Sequence, residues 1–366
     1  MTIVDKWERR CYNVDVGLLT PPQRRIDMNQ RKAIERMTLK EQVLELLDRE
    51  KGRFLSGQAL AQQLAVSRAA VWKAIRLLQE EGFQIDAQTN RGYRLNEKTD
   101  SVHKGGVERR LTRGKGFYQV QVFPSLASTN DTAKALAGQG APEGTVVVAE
   151  TQTAGKGRMR RSFFSPDDTG VYMSVILRPK IGAEQALFIT TAAAVAVAEA
   201  VEAVSGRPAG IKWVNDVFCG GKKICGILTE GVCGMEDGSL EYAVLGIGIN
   251  ALEPQNGFPE ELKEIAGAVF ERGTRIPDLK NRLIAAVLDR FFTFYAQVEE
   301  KTFLQAYRER SILKGRPITV LQGGSARAAL AGEIDDDCRL CVRYEDGTEA
   351  LLSSGEVSIR MEEKKG

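Results

Sequence analysis

Apolar and polar positions fall into three regimes along the chain. From Thr38 onward, Leu39, Val43, Leu46 and Leu47 recur at helical spacing, which predicts an amphipathic helix over residues 39–50. Lys51 to Arg53 form a turn, and Ser56 is placed to cap a short helix from Gly57 to Leu64. Ala65 and Val66 make a tight connection. A longer helix capped by Ser67 then runs to about Glu81, with Val71, Ile75 and Leu78 on its inner stripe, and Gly82 ends it. Residues 83–95 alternate around Thr89-Asn90-Arg91-Gly92, the pattern of a short hairpin.

The second regime starts after a polar stretch at residues 98–106. Strands are expected at residues 117–123, 145–149, 171–177, 211–213, 223–229 and 242–249. A long, Ala-rich, buried helix is expected at 184–204 and another helix at 279–294, giving an α/β domain around a largely β core. In the third regime, past Lys314, only short alternating runs remain, at 317–321, 326–334, 340–344 and 349–353, and they suggest a small β-barrel. The chain therefore divides into 1–37, 38–97, a linker at 98–110, 111–313 and 314–362. The first of these is expected to be poorly structured, because Pro21 and Pro22 punctuate it and no amphipathic period appears. Met28 and Met37 precede the first convincing helix, so translation is expected to begin at one of them, and N-terminal sequencing that found Met1 or Thr2 would reject this.

Composition narrows the chemistry. The 366 residues are 43% hydrophobic and 27% charged, ordinary for globular domains. A net charge of +3 requires any basic surface to be local. The longest apolar candidate for a membrane span, residues 192–198, is followed by Glu199, well short of roughly 18 residues. The opening MTIVDKWERR has no signal-peptide core, so a cytoplasmic location with no membrane partner and six reduced cysteines is expected. Cys338 and Cys341 have no second pair or histidine nearby and read as structural. The single histidine, His103, excludes a His-cluster metal site, and its polar surroundings at 100–105 predict a solvated linker side chain. An enzyme with this composition works through Lys, Arg, Asp, Asn and backbone N–H groups.

Three helices and a hairpin in this order are the winged helix-turn-helix arrangement. Ser67, Arg68, Ala69, Trp72, Lys73 and Arg76 would face a major groove, with Asn90, Arg91 and Arg94 of the wing on phosphates. A module used only for protein contact, or one that has lost DNA binding, is the alternative, and Trp72 fits either the core or the DNA face.

Five further segments carry candidate chemistry. The stretch 151–161 follows a strand and places Lys156, Arg158, Arg160 and Arg161 beside Gly155 and Gly157, which suits a phosphate-bearing ligand, or else a solvated basic loop or a nucleic-acid loop. It contains no Walker sequence. Residues 211–216 deliver Lys212, Asn215 and Asp216 at the end of a strand. Residues 220–230 form a hairpin whose second strand begins at Lys223, and Gly246 and Gly248 leave room for a ligand or another backbone. Ser128-Thr129-Asn130 is either an N-cap cluster or a set of polar groups around a small ring.

In order and spacing these segments resemble the bifunctional biotin–protein ligase and biotin operon repressor family, over almost the whole chain from residue 38. The resemblance implies a winged helix-turn-helix, a central α/β catalytic domain with a mixed, class II synthetase-like sheet, and a small C-terminal SH3-like barrel. It assigns Ser128, Thr129, Asn130 and Gln152 to the ureido ring of biotin, with Lys156, Gly157, Arg158, Lys223 and Gly226 completing the biotin site. It assigns Arg158, Arg161, Lys212, Trp213, Asn215, Asp216 and Asn250 to the adenylate, Lys223 and Arg158 to catalysis, and Asp216 to Mg²⁺. The implied partners are a biotin carboxyl carrier protein, operator DNA and a second copy of the chain, with ATP as co-substrate. Lys156 stands where the family loop has Arg, Arg160 where it has Gly, and Val214 where the signature has Pro. Lys keeps the charge and loses the bidentate fork, while Arg160 stiffens the loop. A biotin-sensing repressor that ligates nothing, or a lipoate or octanoate transferase, are the alternatives. Lys223 and Arg158 speak against the first, and Ser128-Thr129-Asn130 with Lys212-Trp213 against the second.

Overall fold

The computed structural model describes residues 38–80, 83–96, 100–233, 240–322 and 325–359. The extension through residue 37, with its alternative starts, and the helix-ending Gly82 lie outside the described residues.

The N-terminal unit packs α1 (Leu39–Arg49), α2 (Gly57–Gln63) and α3 (Arg68–Glu80) against a hairpin of β1 (Ile85–Gln88) and β2 (Gly92–Leu95). Each helix starts at a side chain able to satisfy a free N–H. Thr38 and Glu41 form a reciprocal capping box, Ser56 caps Ala59, and Ser67 accepts from Ala70 N–H at 3.1 Å. Val43, Leu47, Leu60, Val71, Ile75 and Leu78 close the core.

From residue 100 on, the expected linker is a docked segment. Residues Lys104–Glu108 form α4, and its N-cap is His103, whose Nδ1 accepts from Gly106 N–H at 2.9 Å. His103 is 7% exposed, which corrects the expectation of a solvated side chain. Its neighbours come from distant segments. Asn281 accepts from His103 N–H, Glu150 accepts from Val102 N–H, and Val102 and Val107 are buried. Across the same seam Lys51 reaches Asp278 at 2.5 Å, Arg110 reaches Asp278 at 2.8 Å, and buried Asp48 pairs with Arg109.

The central unit is a seven-stranded sheet in the order β3-β4-β5-β9-β8-β7-β6, with β3 (Gln119–Leu126) and β4 (Thr145–Gln152) parallel and the remaining pairs antiparallel. Between β3 and β4 lies α5 (Thr129–Ala137); β5 is Gly170–Leu177, β6 Ala209–Lys212, β7 Asp216–Cys219, β8 Lys222–Cys233 and β9 Leu240–Asn250. Side chains alternate along the strands. Val146, Val148, Met173 and Val175 meet the face covered by α6 (Ala186–Ser205) and α7 (Leu279–Tyr295). Val147, Ala149 and Ile176 meet α5 on the opposite face. Helix α6 is long and apolar enough to cross a membrane by composition, contrary to the expectation of no such run, yet 78% of its apolar window is buried within the protein. Thr190, Thr191 and Glu199 interrupt the apolar residues without lowering their average much.

After α8 (Leu304–Glu309), β10 (Pro317–Gln322), β11 (Ser325–Ile334), β12 (Leu340–Tyr344), β13 (Glu349–Leu352) and β14 (Glu356–Ile359) form an antiparallel sheet in the order β13-β12-β11-β10-β14. Sequence periodicity missed β7, α8 and β14, which are only four to six residues long. Cys338 lies buried in the turn before β12, and both Cys338 and Cys341 are free thiols.

Candidate active site

A cavity of about 260 Å³ opens on the α5 face of the central sheet. Its floor is built from glycines. A Cβ at Gly246 would collide with the Asn130 amide, one at Gly248 would meet the Phe163 ring at 2.6 Å, and one at Gly226 the same ring at 3.2 Å. Where the sequence suggested room at Gly246 and Gly248 for a ligand or another backbone, these glycines seat the Asn130 and Phe163 side chains and also line the cavity.

One end of the cavity is an amide and hydroxyl niche. Ser128 caps α5, and this turn brings Thr129 and Asn130 inward, all three buried. Gln152 at the end of β4 accepts from Thr129 N–H at 2.8 Å and from its hydroxyl at 3.1 Å, and its own amide donates to Ser165 at 3.0 Å. Ser174 donates to Asn130 Oδ1 at 2.6 Å and lies 2.8 Å from Thr129 Oγ1. Asn130 donates in turn to Glu230 at 2.7 Å, and Glu230 accepts from Lys134 at 2.8 Å. Although burial works against its charge, Glu230 and Asp131 hold Lys134 above the usual lysine range. The niche is thus held together by a hydrogen-bond network that links α5, β4, β5 and β8.

The other end is cationic. Lys223 emerges where a register shift adds one residue to β8 opposite Val217–Phe218, and its ammonium meets Asp216 at 2.6 Å. Arg158 donates to Asn215 at 3.0 Å and to Gly355 O at 3.1 Å, and Asn215 is anchored through its amide to Ile227 O at 2.9 Å. Arg161 forms a two-pronged pair with Glu356, both contacts 2.8 Å. Lys156 reaches across to Asp131 at 2.7 Å. The loop turns through left-handed conformations at Met159 (φ 55°) and Arg160 (φ 59°), the second where the resembling family has glycine. Asn250 holds Gly267 O at 2.9 Å, and Phe258, Leu262 and Ile265 complete an apolar rim.

Ser128, Thr129, Asn130, Gln152, Lys156, Gly157, Arg158, Arg161, Asn215, Asp216, Lys223, Gly226 and Asn250 all line this single cavity. Trp213 does not. It is buried, and its indole N–H donates to Cys338 O at 3.0 Å, tying the catalytic unit to the C-terminal sheet. Lys212 also stands outside the lining. Burial lowers its pKa from the usual lysine value, with Asp216 opposing the shift and Lys223 reinforcing it. Sequence reasoning missed Ser174, Phe163, Glu230 and Glu356. Only Phe163 carried a signal, as an apolar residue two positions after the basic loop ends at Arg161. On the N-terminal unit, Ser67, Arg68, Ala69, Trp72, Lys73 and Arg76 lie along one exposed side of α3, with Asn90 and Arg91 at the exposed hairpin turn. Arg94 is paired with Asp86 at 2.7 Å.

The profile of the biotin/lipoate A/B protein ligase family matches residues 122–250, an HTH domain matches 40–94, and the biotin protein ligase C-terminal domain matches 314–360. The bifunctional ligase/repressor BirA of Bacillus subtilis is 41% identical over 236 residues, 64% of this chain and 72% of that protein. BirA of Escherichia coli K12 is 28% identical over 317 residues, 86% of this chain and 95% of that one. The biotin–[acetyl-CoA-carboxylase] ligase of Mycobacterium tuberculosis is 33% identical over 252 residues, covering 67% and 90%. Among solved structures, the biotin protein ligase from Aquifex aeolicus in complex with biotin and ATP shares the fold with a TM-score of 0.53 at 24% identity, over 66% of this chain and 98% of that chain.

Proposed function

The chain belongs to the bifunctional biotin–protein ligase and repressor family, and from that premise we propose that it forms biotinyl-5′-AMP from biotin and ATP, passes the biotinyl group to a lysine of a biotin carboxyl carrier protein, and represses transcription in response to biotin. One observation carries the catalytic reading: Gln152 and Arg158 of the 151–161 stretch and Lys223 of the 220–230 hairpin line one cavity with an amide niche at one end and cations at the other.

In this reading the ureido ring lies among Ser128, Thr129, Asn130 and Gln152, whose donors and acceptors are already oriented. The valeryl carboxylate points to Lys223. It attacks the α-phosphorus of ATP, the bond to the bridging oxygen breaks, and pyrophosphate leaves. Two anions must meet, so preorganised cations supply most of the stabilisation. Lys223 and Arg158 take that role, and Lys156 and Arg161 hold the loop closed over the mixed anhydride and shield it from water. Asn215, Asp216 and Asn250 position the adenylate. The acceptor lysine, as free amine, then attacks the carbonyl carbon and AMP departs.

A magnesium ion would screen charge on the departing pyrophosphate, and the nucleotide's own phosphates and water would hold most of it. Among the described residues no three His, Cys, Asp or Glu side chains stand together, and Asp216 is engaged by Lys223. The described residues therefore do not build a magnesium site from protein ligands alone. For repression, adenylate-ordered loops favour a homodimer whose two winged helices meet two half-sites. Gel-shift titrations showing no dependence on biotin plus ATP would remove that half of the proposal. For the ligase, incubation with ATP, biotin and a carrier domain, read by mass, is expected to add one biotinyl group to a single acceptor lysine. An unmodified carrier would refute it.

A further inference from the structure

Trp72 is the only aromatic ring left exposed among the described residues, at 54% exposure. It follows Val71, which with Ala74, Ile75 and Leu78 forms the buried stripe of α3, so it points about 100° away from the core. Around it on α3 the exposed positions are Arg68, Ala69, Lys73 and Arg76, and no acidic residue occurs on the helix before Glu80. The Arg76 guanidinium lies 5.5 Å from the Trp72 ring centroid. Another aromatic of the same unit, Phe54, is already used, with Arg91 and Arg94 over its ring at 4.4 and 4.7 Å. An uncovered indole set among cations on a helix that would enter a major groove needs an apolar partner within a polyanion. The major groove offers one such group, the 5-methyl of thymine.

We propose that Trp72 is a specificity-determining residue that packs its ring on the methyl group of a thymine in each operator half-site. The inference rests on reading the N-terminal unit as the operator-binding domain and goes beyond it by naming the base feature that is read. Arg68 and Lys73 supply sequence-independent attraction to phosphates, and Trp72 adds a preference that salt does not screen.

The test uses full-length protein with biotin and ATP. Wild-type protein selects a site from a random duplex library, and every thymine of that site is then replaced in turn by deoxyuridine, which lacks only the methyl. Wild type is expected to lose roughly fourfold in affinity at one thymine per half-site, the equivalent of about one buried carbon. Trp72→Ala is expected to bind the site more weakly and to treat thymine and deoxyuridine there alike. Trp72→Phe, which keeps an aromatic face, retains part of the preference. Both variants should unfold at the wild-type temperature, because the ring lies outside the core. Equal deoxyuridine sensitivity in wild type and Trp72→Ala, or no sensitivity at any position in wild type, would overturn the role of Trp72. If wild type enriched no sequence, the operator-binding reading would itself fail, and the inference with it.

Discussion

Asn130 stands directly over Gly246, and no side chain larger than hydrogen fits beneath its amide. The same glycine lies opposite Ser174 in the β5–β9 register, and Ser174 donates to Asn130. A single Cβ on the floor would therefore displace an amide assigned to the ureido ring. Gly246→Ala is expected to weaken biotin binding at least about tenfold, near 1.4 kcal/mol, while the chain stays folded. Calorimetric titration with biotin measures it, and an unchanged affinity would remove Asn130 from the ring site.

Arg158 joins the basic loop to Asn215 and to the Gly355 carbonyl of the C-terminal unit. Arg158→Gly cuts both ties and should let the adenylate escape faster from the cavity. Release followed by filtration after a single adenylation reads this directly. Escape at the wild-type rate would show that the loop closes without Arg158.

His103 makes stability pH-dependent in a defined direction. Burial, reinforced by the Lys51 and Arg110 cations and opposed by Asp278 and Glu150, lowers its pKa to about 4. Its Nδ1 accepts from Gly106, so the proton sits on Nε2, 3.4 Å from Asp48. In the unfolded chain the imidazole takes up a proton near pH 6.5, while the folded one stays neutral to about 4, so stability is lost as pH falls through that window. Asp100 works the other way. Burial, against the pull of Lys280, raises its pKa to about 6, so its contribution to stability falls as pH rises from about 4 to about 6. Comparing wild type with His103→Asn cancels Asp100. The variant should gain on wild type as pH drops from 6.5 to 4 in denaturant titrations, and parallel pH profiles would contradict the assignment.

Features set by neighbours in sequence were legible before the fold was known. Ser56 and Ser67 cap their helices locally, and the cavity's main side chains sit in short segments whose residue types announce chemistry. What escaped depended on pairing between distant segments. Ser174 reads as one small polar residue in an apolar strand until its register opposite Gly246 is known. His103 reads as solvated until α1 and α7 close around it. Trp213 reads as part of a ligand signature, yet its indole reaches a carbonyl 125 residues away. Glu356 belongs to a four-residue strand of the C-terminal sheet, and nothing local shows that it reaches Arg161.

Lys223 carries the proposed adenylation chemistry. If its ammonium draws the biotin carboxylate to the α-phosphate, Lys223→Ala should slow adenylate formation at least about tenfold, roughly 1.4 kcal/mol of barrier. The decisive measurement is single-turnover formation of biotinyl-5′-AMP from saturating biotin and ATP, without carrier protein, in wild type and Lys223→Ala. The variant should show that slowed step, and adenylate formed by it at the wild-type rate would contradict the role given to Lys223.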